Sequence, residues 1–479
     1  MAGGLMQLVA YGSQDVYLTG NPQITFFKVV YRRHTNFSVE AIEQTFNGTP
    51  DFGKKVSCTI SKNGDLIYRM YLEAELPSVS ITDSDISCAH WVNYVGEKLI
   101  NYVEVEIGGQ RIDKHYGEWL HIWNQLSLPT GHQYGYERMV GNIPQLTSNL
   151  ANLDISNTFA NGSFPQTKLY IPLQFWFCRN PGLALPLIAL QYHEVKINLQ
   201  FEELKYLFFS TDGIGNNPTL TPLSSSDYQL PSASLWVDYV FLDTDERRRF
   251  AQLSHEYLIE QLQFPGQETI TSSASTKIKL NFNHPVKEII WVTQKQVSQN
   301  YLQWFNYTDR LDTTPTFTFD PLGSNLVFGL MECFPTILTP SSDFTVDKGK
   351  NTTKSALIQL NGQDRFARRE GDYFNYVQPY QHHTRSPQLG INVYSFALRP
   401  EEHQPSGSCN FSRIDNANLL LSLTDNTINK GTVKADSYKG TLYEDMTTPS
   451  QSNAYCNIYA VNYNVLRIMS GMGGLAYSN

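Results

Sequence analysis

Val237-Asp238-Tyr239-Val240-Phe241-Leu242 has the alternating pattern of a half-buried β-strand. The charged run Asp243-Thr244-Asp245-Glu246-Arg247-Arg248-Arg249 breaks it at once. The same six-residue pattern returns as Val461-Asn462-Tyr463-Asn464-Val465-Leu466, an offset of 224 residues (463 minus 239), a little under half of the 479-residue chain. A strand that closes one half and is echoed at the close of the other reads as a domain followed by a copy of itself.

Three further matches run in the same order. Val105-Glu106-Ile107-Gly108-Gly109-Gln110 answers to Ile358-Gln359-Leu360-Asn361-Gly362-Gln363 at an offset of 253 (362 minus 109). Leu173-Gln174-Phe175-Trp176-Phe177 answers to Tyr394-Ser395-Phe396-Ala397-Leu398 at 221 (396 minus 175). Leu66-Ile67-Tyr68 answers more weakly to Ile289-Ile290-Trp291 at 223 (289 minus 66). The larger middle offset requires an insertion before Ile358, which Asp309–Lys354, rich in Thr, Pro, Ser and Asp, supplies. The offset falls again because the first half has its own insertion, Pro129–Thr167. Together these matches predict a tandem duplication. Long insertions in a two-sheet domain leave as loops at one end, so both halves are expected to carry elaborate loops on a common face.

Strand-like segments recur at Lys55–Ile60, Leu66–Leu76, Ile100–Ile107, Leu169–Cys178, Val195–Phe201 and Ser234–Leu242. Turn chemistry such as Asn63-Gly64-Asp65, Gly108-Gly109 and Asn180-Pro181-Gly182 separates them. Only Tyr116–Leu126 and Asp245–Tyr257 carry a helical pattern. Many short strands with long, turn-rich connections predict an all-β antiparallel sandwich or barrel. Residues 1–25, Gly-rich and weakly patterned, read as an arm outside any core.

Length and composition fit two such domains. A chain of this size exceeds one ordinary core, and each half is large enough to fold without disulfides or metal. Aromatics are abundant (28 Tyr, 26 Phe, 7 Trp) while charged residues are only 17%, which suits strands and extensive contact surfaces. The balance of 36 basic against 45 acidic residues argues against broad nucleic-acid binding by the folded body. Cys58, Cys88, Cys178, Cys333, Cys409 and Cys456 stand far apart without zinc spacing and read as free thiols in a reducing compartment. Met1–Met6 has neither the basic start nor the apolar run of a signal peptide, and no apolar run approaches membrane-spanning length. The expectation is a soluble intracellular product.

The candidates for chemistry are weak. A metal site on a β-barrel asks for spaced histidines, whereas His382-His383 is adjacent and in a strand would point its rings to opposite faces. Tyr192-His193-Glu194, within a strand pattern, reads as a polar pair on a sheet face rather than an acid–base pair. No nucleophile elbow, phosphate-binding Gly loop or HExxH occurs, and Gly471-Met472-Gly473-Gly474 reads as a tail. Scattered carboxylates do not identify a glycosidase pair in sequence. No catalytic, cofactor-binding or metal residue is assigned, and no enzyme is expected. Arg247-Arg248-Arg249 and Arg32-Arg33 are candidates for phosphate or a charged partner, but Asp243, Asp245 and Glu246 neutralise the first cluster within an exposed inter-domain helix. Sequons at Asn36, Asn47, Asn161, Asn306, Asn351 and Asn410 read as chance without a secretory signal. If a virus-encoded or cytoplasmic route glycosylates the chain, Asn161 and Asn351, in the long insertions, are the expected sites.

Ala10-Tyr11-Gly12-Ser13-Gln14-Asp15, followed by Leu18-Thr19-Gly20-Asn21-Pro22-Gln23-Ile24-Thr25-Phe26-Phe27-Lys28, resembles the N-terminus of major capsid proteins from nucleocytoplasmic large DNA viruses. Similarity to that family continues through Ile107–Asp113, Tyr116–Trp119, Ile171–Cys178 and Leu185–Gln191. The second half adds Asn283–Glu288, Asn392–Phe396 and Tyr463–Arg467, so the motifs span nearly the whole chain in the family's order.

The resemblance implies two tandem eight-stranded antiparallel jelly rolls with long insertion loops: an arm at 1–25, a first roll at 26–243, a short helical linker at 244–256 and a second roll at 257–479. It implies a structural virion protein, assembled in the host cytoplasm, whose homotrimer is a pseudo-hexagonal capsomer of an icosahedral shell. Partners would be further copies and neighbouring capsomers, minor capsid and penton proteins, and an internal membrane near the arm, with no direct contact to nucleic acid. Two other classes compete. A carbohydrate-binding or carbohydrate-cleaving tandem jelly roll would need an aromatic-lined groove with paired carboxylates. A minor capsid or penton-type component would use the same strands at low copy number.

Overall fold

The computed structural model describes residues 33–80, 88–147, 163–211, 219–223, 227–311, 349–435 and 442–477, with Ser13 and Asn21 as isolated positions. The arm at 1–25 otherwise lies outside the described residues, as do 148–162 of the first long insertion and 312–348 of the second. Among the described residues no helix is long and apolar enough to cross a membrane.

The first half contributes β1 (Phe37–Gln44), β2 (Lys55–Thr59), β3 (Leu66–Leu76), β4 (Ile100–Ile107), β5 (Gln110–Tyr116), β6 (Thr167–Pro172), β7 (Val195–Phe201) and β8 (Ser232–Leu242). One antiparallel sheet runs β1-β8-β3-β6, with the two-residue strand Leu185–Pro186 extending β6 along β3; the other runs β2-β7-β4-β5. The second half contributes β9 (His255–Gln263), β10 (Thr276–Lys279), β11 (Pro285–Lys295), β12 (Thr353–Leu360), β13 (Gln363–Asp364), β14 (Ile391–Ser395), β15 (Ala417–Leu423) and β16 (Ala454–Met469). Its sheets run β9-β16-β11-β14, with Cys409–Asn410 extending β14 along β11, and β10-β15-β12-β13. The order is the same in both halves, strand for strand, and it is the order of a jelly roll. The chain is therefore two tandem jelly rolls.

Alternation builds each core. Val56 and Cys58, Ile67 and Met70, Val103 and Val105, Ile197 and Leu199, and Val237 and Tyr239 turn inward from both sheets of the first half. Ile278, Ile289, Ala356, Ile358, Leu419, Leu421, Ile458 and Ala460 do so in the second. Defects in the ladder recur too. The pairing of β8 with β3 slips between Val237 and Tyr239, and that of β16 with β11 slips at Val286/Glu288. A second bulge sits at Gln200/Phe201 on β7 and at Thr353/Ser355 on β12, the same point of the same strand pair. Bulges are placed features of a sheet, so two at equivalent positions are a sign of common descent.

Register decides which sequence matches are structural. Val237 pairs with Met70 and Ala460 with Ile289, all four facing a core, so β8 and β16 are related by 223 residues (460 minus 237) and β3 and β11 by 219 (289 minus 70). The opening echo at 224 found the right two strands one residue out of step. It aligns Tyr239, which faces the first core, with Tyr463, which faces away from the second core toward Lys287. A slip of one residue exchanges the faces of a strand. The weak match at 223 lies four residues out of register on β3 and β11. The other two matches hold. Gly108-Gly109 (φ 57 and 85) and Asn361-Gly362 (φ 48 and 81) are two-residue hairpin turns with both residues left-handed, the geometry that favours Asn and Gly. Pro172 and Val393, 221 apart (393 minus 172), oppose Tyr71 and Ile290, the equivalent positions of β3 and β11.

Two elements differ from expectation. The strand expected to reach Cys178 ends at Pro172, and Trp176–Arg179 forms a helical turn; Phe175, Trp176 and Phe177 are all buried, which alternation cannot do. The helix expected to Tyr257 is Thr244–Gln252, because residues from His255 pair with β16 instead. The helix Gln133–Val140 in the first insertion was not anticipated.

The second insertion leaves from a clasp. Thr308 bridges Asn351, the Asp309 N–H donates to Lys350 O (3.0 Å), and the Lys350 N–H donates to Asp309 Oδ1 (2.7 Å). Asn426 Nδ2 and Thr424 Oγ1 donate to Asp309 Oδ2 at 3.4 and 3.5 Å. Asp309→Ala takes the acceptor from these part-buried donors and is expected to cost about 1 kcal/mol. Urea unfolding at unchanged m-value checks this; a midpoint equal to the parent's would show that the clasp is held by other contacts.

Candidate functional site at the seam between the halves

Immediately after β5 the chain enters the helix α1 (Gly117–Ser127). Its residue Leu120 packs in the first half's core, and His121 meets Glu97 (2.6 Å) with its ring stacked on Phe305 of the second half, while Trp119, Ile122, Trp123 and Leu126 form one cluster with Ile290, Val292, Ile391, Val393, Tyr459 and Val461 of the second half. These are the outward residues of β11, β14 and β16. The outer face of the second half's sheet is thus covered by a helix of the first. Each fully buried side chain of this kind is worth about 1.5–3 kcal/mol. Glu118 adds polar specificity: it accepts from Tyr307 Oη (3.1 Å), from Asn457 Nδ2 (2.6 Å) and from the Tyr459 hydroxyl. Burial, then the Glu118 charge, pushes both tyrosines well above the usual phenol range.

A chain of ions runs along the same seam. Arg179, lying 4.0 Å over the Trp123 ring, pairs with Glu260 (3.0 Å), which pairs with Lys287 (2.7 Å). Next to Lys287, Glu288 lies 3.0 Å from Nε2 of His383, whose Nδ1 meets Glu401 at 2.9 Å. Burial alone would lower the His383 pKa, but the two carboxylates outweigh it and hold the imidazole at about 9. Burial would likewise raise Glu288, and His383, Lys287 and Arg179 carry it below its ordinary value instead.

The second half carries the counterpart of α1. After its hairpin, Gly371-Asp372-Tyr373-Phe374 repeats Gly117-Glu118-Trp119-Leu120 at an offset of 254 (371 minus 117) and opens a π-turn (Tyr373–Val377) continued by an α-turn (Gln378–His382). A Cβ on Gly117 would lie 2.4 Å from the carbonyl oxygen of Ile100, and one on Gly371 would lie 1.9 Å from that of Thr353; these carbonyls begin β4 and β12. Phe374 and Asn375 are buried as Leu120 and His121 are. The outer residues behave oppositely. Tyr376, Val377 and Tyr380, counterparts of Ile122, Trp123 and Leu126, are 48%, 40% and 83% exposed. The sheet they would match is less covered than its counterpart: on the first half's outer face Tyr71 stacks on Trp236 (6.2 Å) and lies 6.1 Å from Tyr170, the first two half-buried and Tyr170 37% exposed. β11 is buried on nearly every residue, whereas its equivalent β3 alternates.

The residues weighed for chemistry are each held in contacts within the fold. His383 ends a helical turn rather than lying in a strand, and its ring faces two carboxylates. His193 lies in a loop, not a sheet, and its Nδ1 accepts the Gly473 N–H (3.1 Å), fastening the strand Met472–Leu475 onto the first half. That segment, expected to be a tail, pairs with β16. Arg249 meets Glu246, as expected for a self-neutralised helix, but Arg247 reaches Asp65 (3.0 Å) at the start of β3. Arg32 and Asn161 lie outside the described residues. Asn351 is buried and donates to Asn392 Oδ1 (2.7 Å), so the folded chain offers no room for a glycan there. Among the described residues no cluster of three or more His, Cys, Asp or Glu is arranged to hold a metal ion. Sequence reasoning missed Glu118, Asp65 and the second helix. The Gly371 tetrapeptide, next to the hairpin match at 253, was the signal that marked the helix.

Residues 25–243 match the family described as major capsid protein N-terminus, and residues 246–474 match large eukaryotic DNA virus major capsid protein. The chain is 51% identical to the major capsid protein of Phaeocystis pouchetii virus and 47% identical to that of Paramecium bursaria Chlorella virus 1, with all of both chains covered in each case. A quasi-atomic structure of the PBCV-1 virus capsid superposes with a TM-score of 0.68 at 40% identity, covering 95% of this chain and 100% of that one. The Faustovirus major capsid protein reaches 0.67 at 14% identity over 97% and 96%, a likeness of fold. Both halves of the duplicated β-fold thus fall within one lineage, and the chain belongs to the major capsid proteins of large eukaryotic DNA viruses.

Proposed function

We propose that this major capsid protein acts as a homotrimer, a pseudo-hexagonal capsomer that tiles the icosahedral shell of its virus. The observation that carries the reading is the strand-for-strand duplication, which gives three copies six similar β-domains to set around one axis. One polypeptide then fits a hexagonal lattice without six-fold symmetry. We take the arm as 1–25, the first roll as 26–243, the linker as 244–256 and the second roll as 257–479, with β9 beginning just inside the linker. The proposed setting is the virion, after assembly in the host cytoplasm. Neighbouring capsomers are the lateral partners, and minor capsid proteins, penton proteins and an internal membrane lie toward the arm. The role is structural rather than enzymatic. Net negative charge keeps free capsomers soluble, and many weak contacts in a lattice hold by multivalency.

Light scattering on the purified full-length chain over a range of concentrations tests this. The expected mass is three times the 54.5 kDa chain and unchanged on dilution. A monomer at every concentration would remove the capsomer and turn attention to the carbohydrate-binding alternative.

A further inference from the structure

We propose that the seam within one chain is repeated between chains: the outer face of the Tyr373–His382 helix docks on the outer sheet face of the first half of a second copy. The inference deepens the trimer reading and rests on it.

In the seam, four residues spaced as 119, 122, 123 and 126 seat a helix on a sheet. The equivalent residues Tyr373, Tyr376, Val377 and Tyr380 present the same spacing and a similar apolar character, and the last three are exposed. Their receptor is defined by register. Ile290, Ile391 and Tyr459 line the second half's receptor, and Tyr71, Tyr170 and Trp236 occupy those positions in the first half. The polar anchor has a counterpart too. Asp372 stands where Glu118 stands, and Trp236 stands where Tyr459 donates to that carboxylate; the Trp236 indole N–H finds no acceptor among the described residues. Among the described residues each chain therefore offers a helix face and a sheet face that are complementary to each other and not to themselves.

Such a contact is heterologous, and repeated heterologous contacts either close into a ring or run on as a filament. Seam and joint would alternate around a ring of six domains, with closure after three chains.

The test uses the full-length chain and two variants at exposed positions. Val377→Asp/Tyr380→Asp spoils the helix face, and Tyr170→Asp spoils the sheet face. Circular dichroism first checks that each retains the parent's fold, and Tyr192→Asp, a charge placed on an exposed residue elsewhere, serves as control. The parent and the control are expected at three chain masses and each face variant alone at one. Mixing the two face variants is expected to give a species of two chains, because one intact helix face then meets one intact sheet face. Face variants that still form trimers would overturn the joint while leaving the trimer reading standing. A monomeric parent would overturn both.

Discussion

Replacing His383 with alanine is expected to cost the folded chain about 3–5 kcal/mol, the price of leaving a buried carboxylate without its partner. The carboxylate is Glu288, fully buried on β11, and Lys287 beside it is already engaged with Glu260 and the carbonyl oxygen of Pro400. The companion variant His383→Ala/Glu288→Gln removes both charges and is expected to recover part of the loss. The same pair gives the parent a pH signature. A histidine raised from 6.5 to about 9 contributes its full stabilisation below pH 6.5 and loses it as the pH rises through about 9. Glu288, depressed on folding, contributes above its ordinary 4.5 and loses that contribution as the pH falls through its lowered value. Stability should therefore decline from pH 6.5 to 9, by at most about 3 kcal/mol. Denaturant midpoints measured across that window check it. A flat profile in the parent, or the same slope in the double variant, would take the titration away from His383.

Alanine at either helix-opening glycine is expected to be nearly as damaging. At Gly117 the new methyl would lie 2.2 Å from Glu97 O as well as against Ile100 O, and at Gly371 it would lie 1.9 Å from Thr353 O. Backbone carbonyls held in a helix or a strand do not give way as side-chain ends do, so each helix would have to lift from its own core. We expect a loss of about 3 kcal/mol or more for each, at the upper end of overpacking costs. Gly109→Ala is the control: a Cβ there meets nothing within 4 Å, and only its φ of 85° opposes the change, for about 1–2 kcal/mol. Equal midpoints for all three variants would show that the close approach is not what positions the helices.

The duplication was legible in the sequence because turns and bulges print themselves in residue type. Gly108-Gly109 and Asn361-Gly362 had to be residues that accept left-handed backbone, so that match arrived in register. Strand interiors carry no such mark. Any apolar residue serves an inward position, and β11 is buried on both faces, so alternation gave no handle on its register and the Leu66 match slid by four. The seam was hidden for a related reason. Trp119, Ile122 and Trp123 announce a helix with too much apolar surface for one core, but nothing in their spacing says which sheet receives the excess. His383, Glu288 and Glu401 come together only through folding, and the adjacency with His382 spoke only against a metal site without revealing these partners.

The linker Thr244–Gln252, exposed along its length apart from a few half-buried residues, has a consequence beyond connecting two rolls. It fixes the local abundance of one half around the other. Tethered partners meet at an effective concentration of millimolar order, whatever the number of chains in the compartment. Early in infection, when few chains have been made, helix α1 still finds its receptor at once. Dilution has no purchase on that contact, because its two sides are never separate molecules. Half of the contacts around a closed ring would then be settled by translation, leaving only the other half to the slower arithmetic of collision.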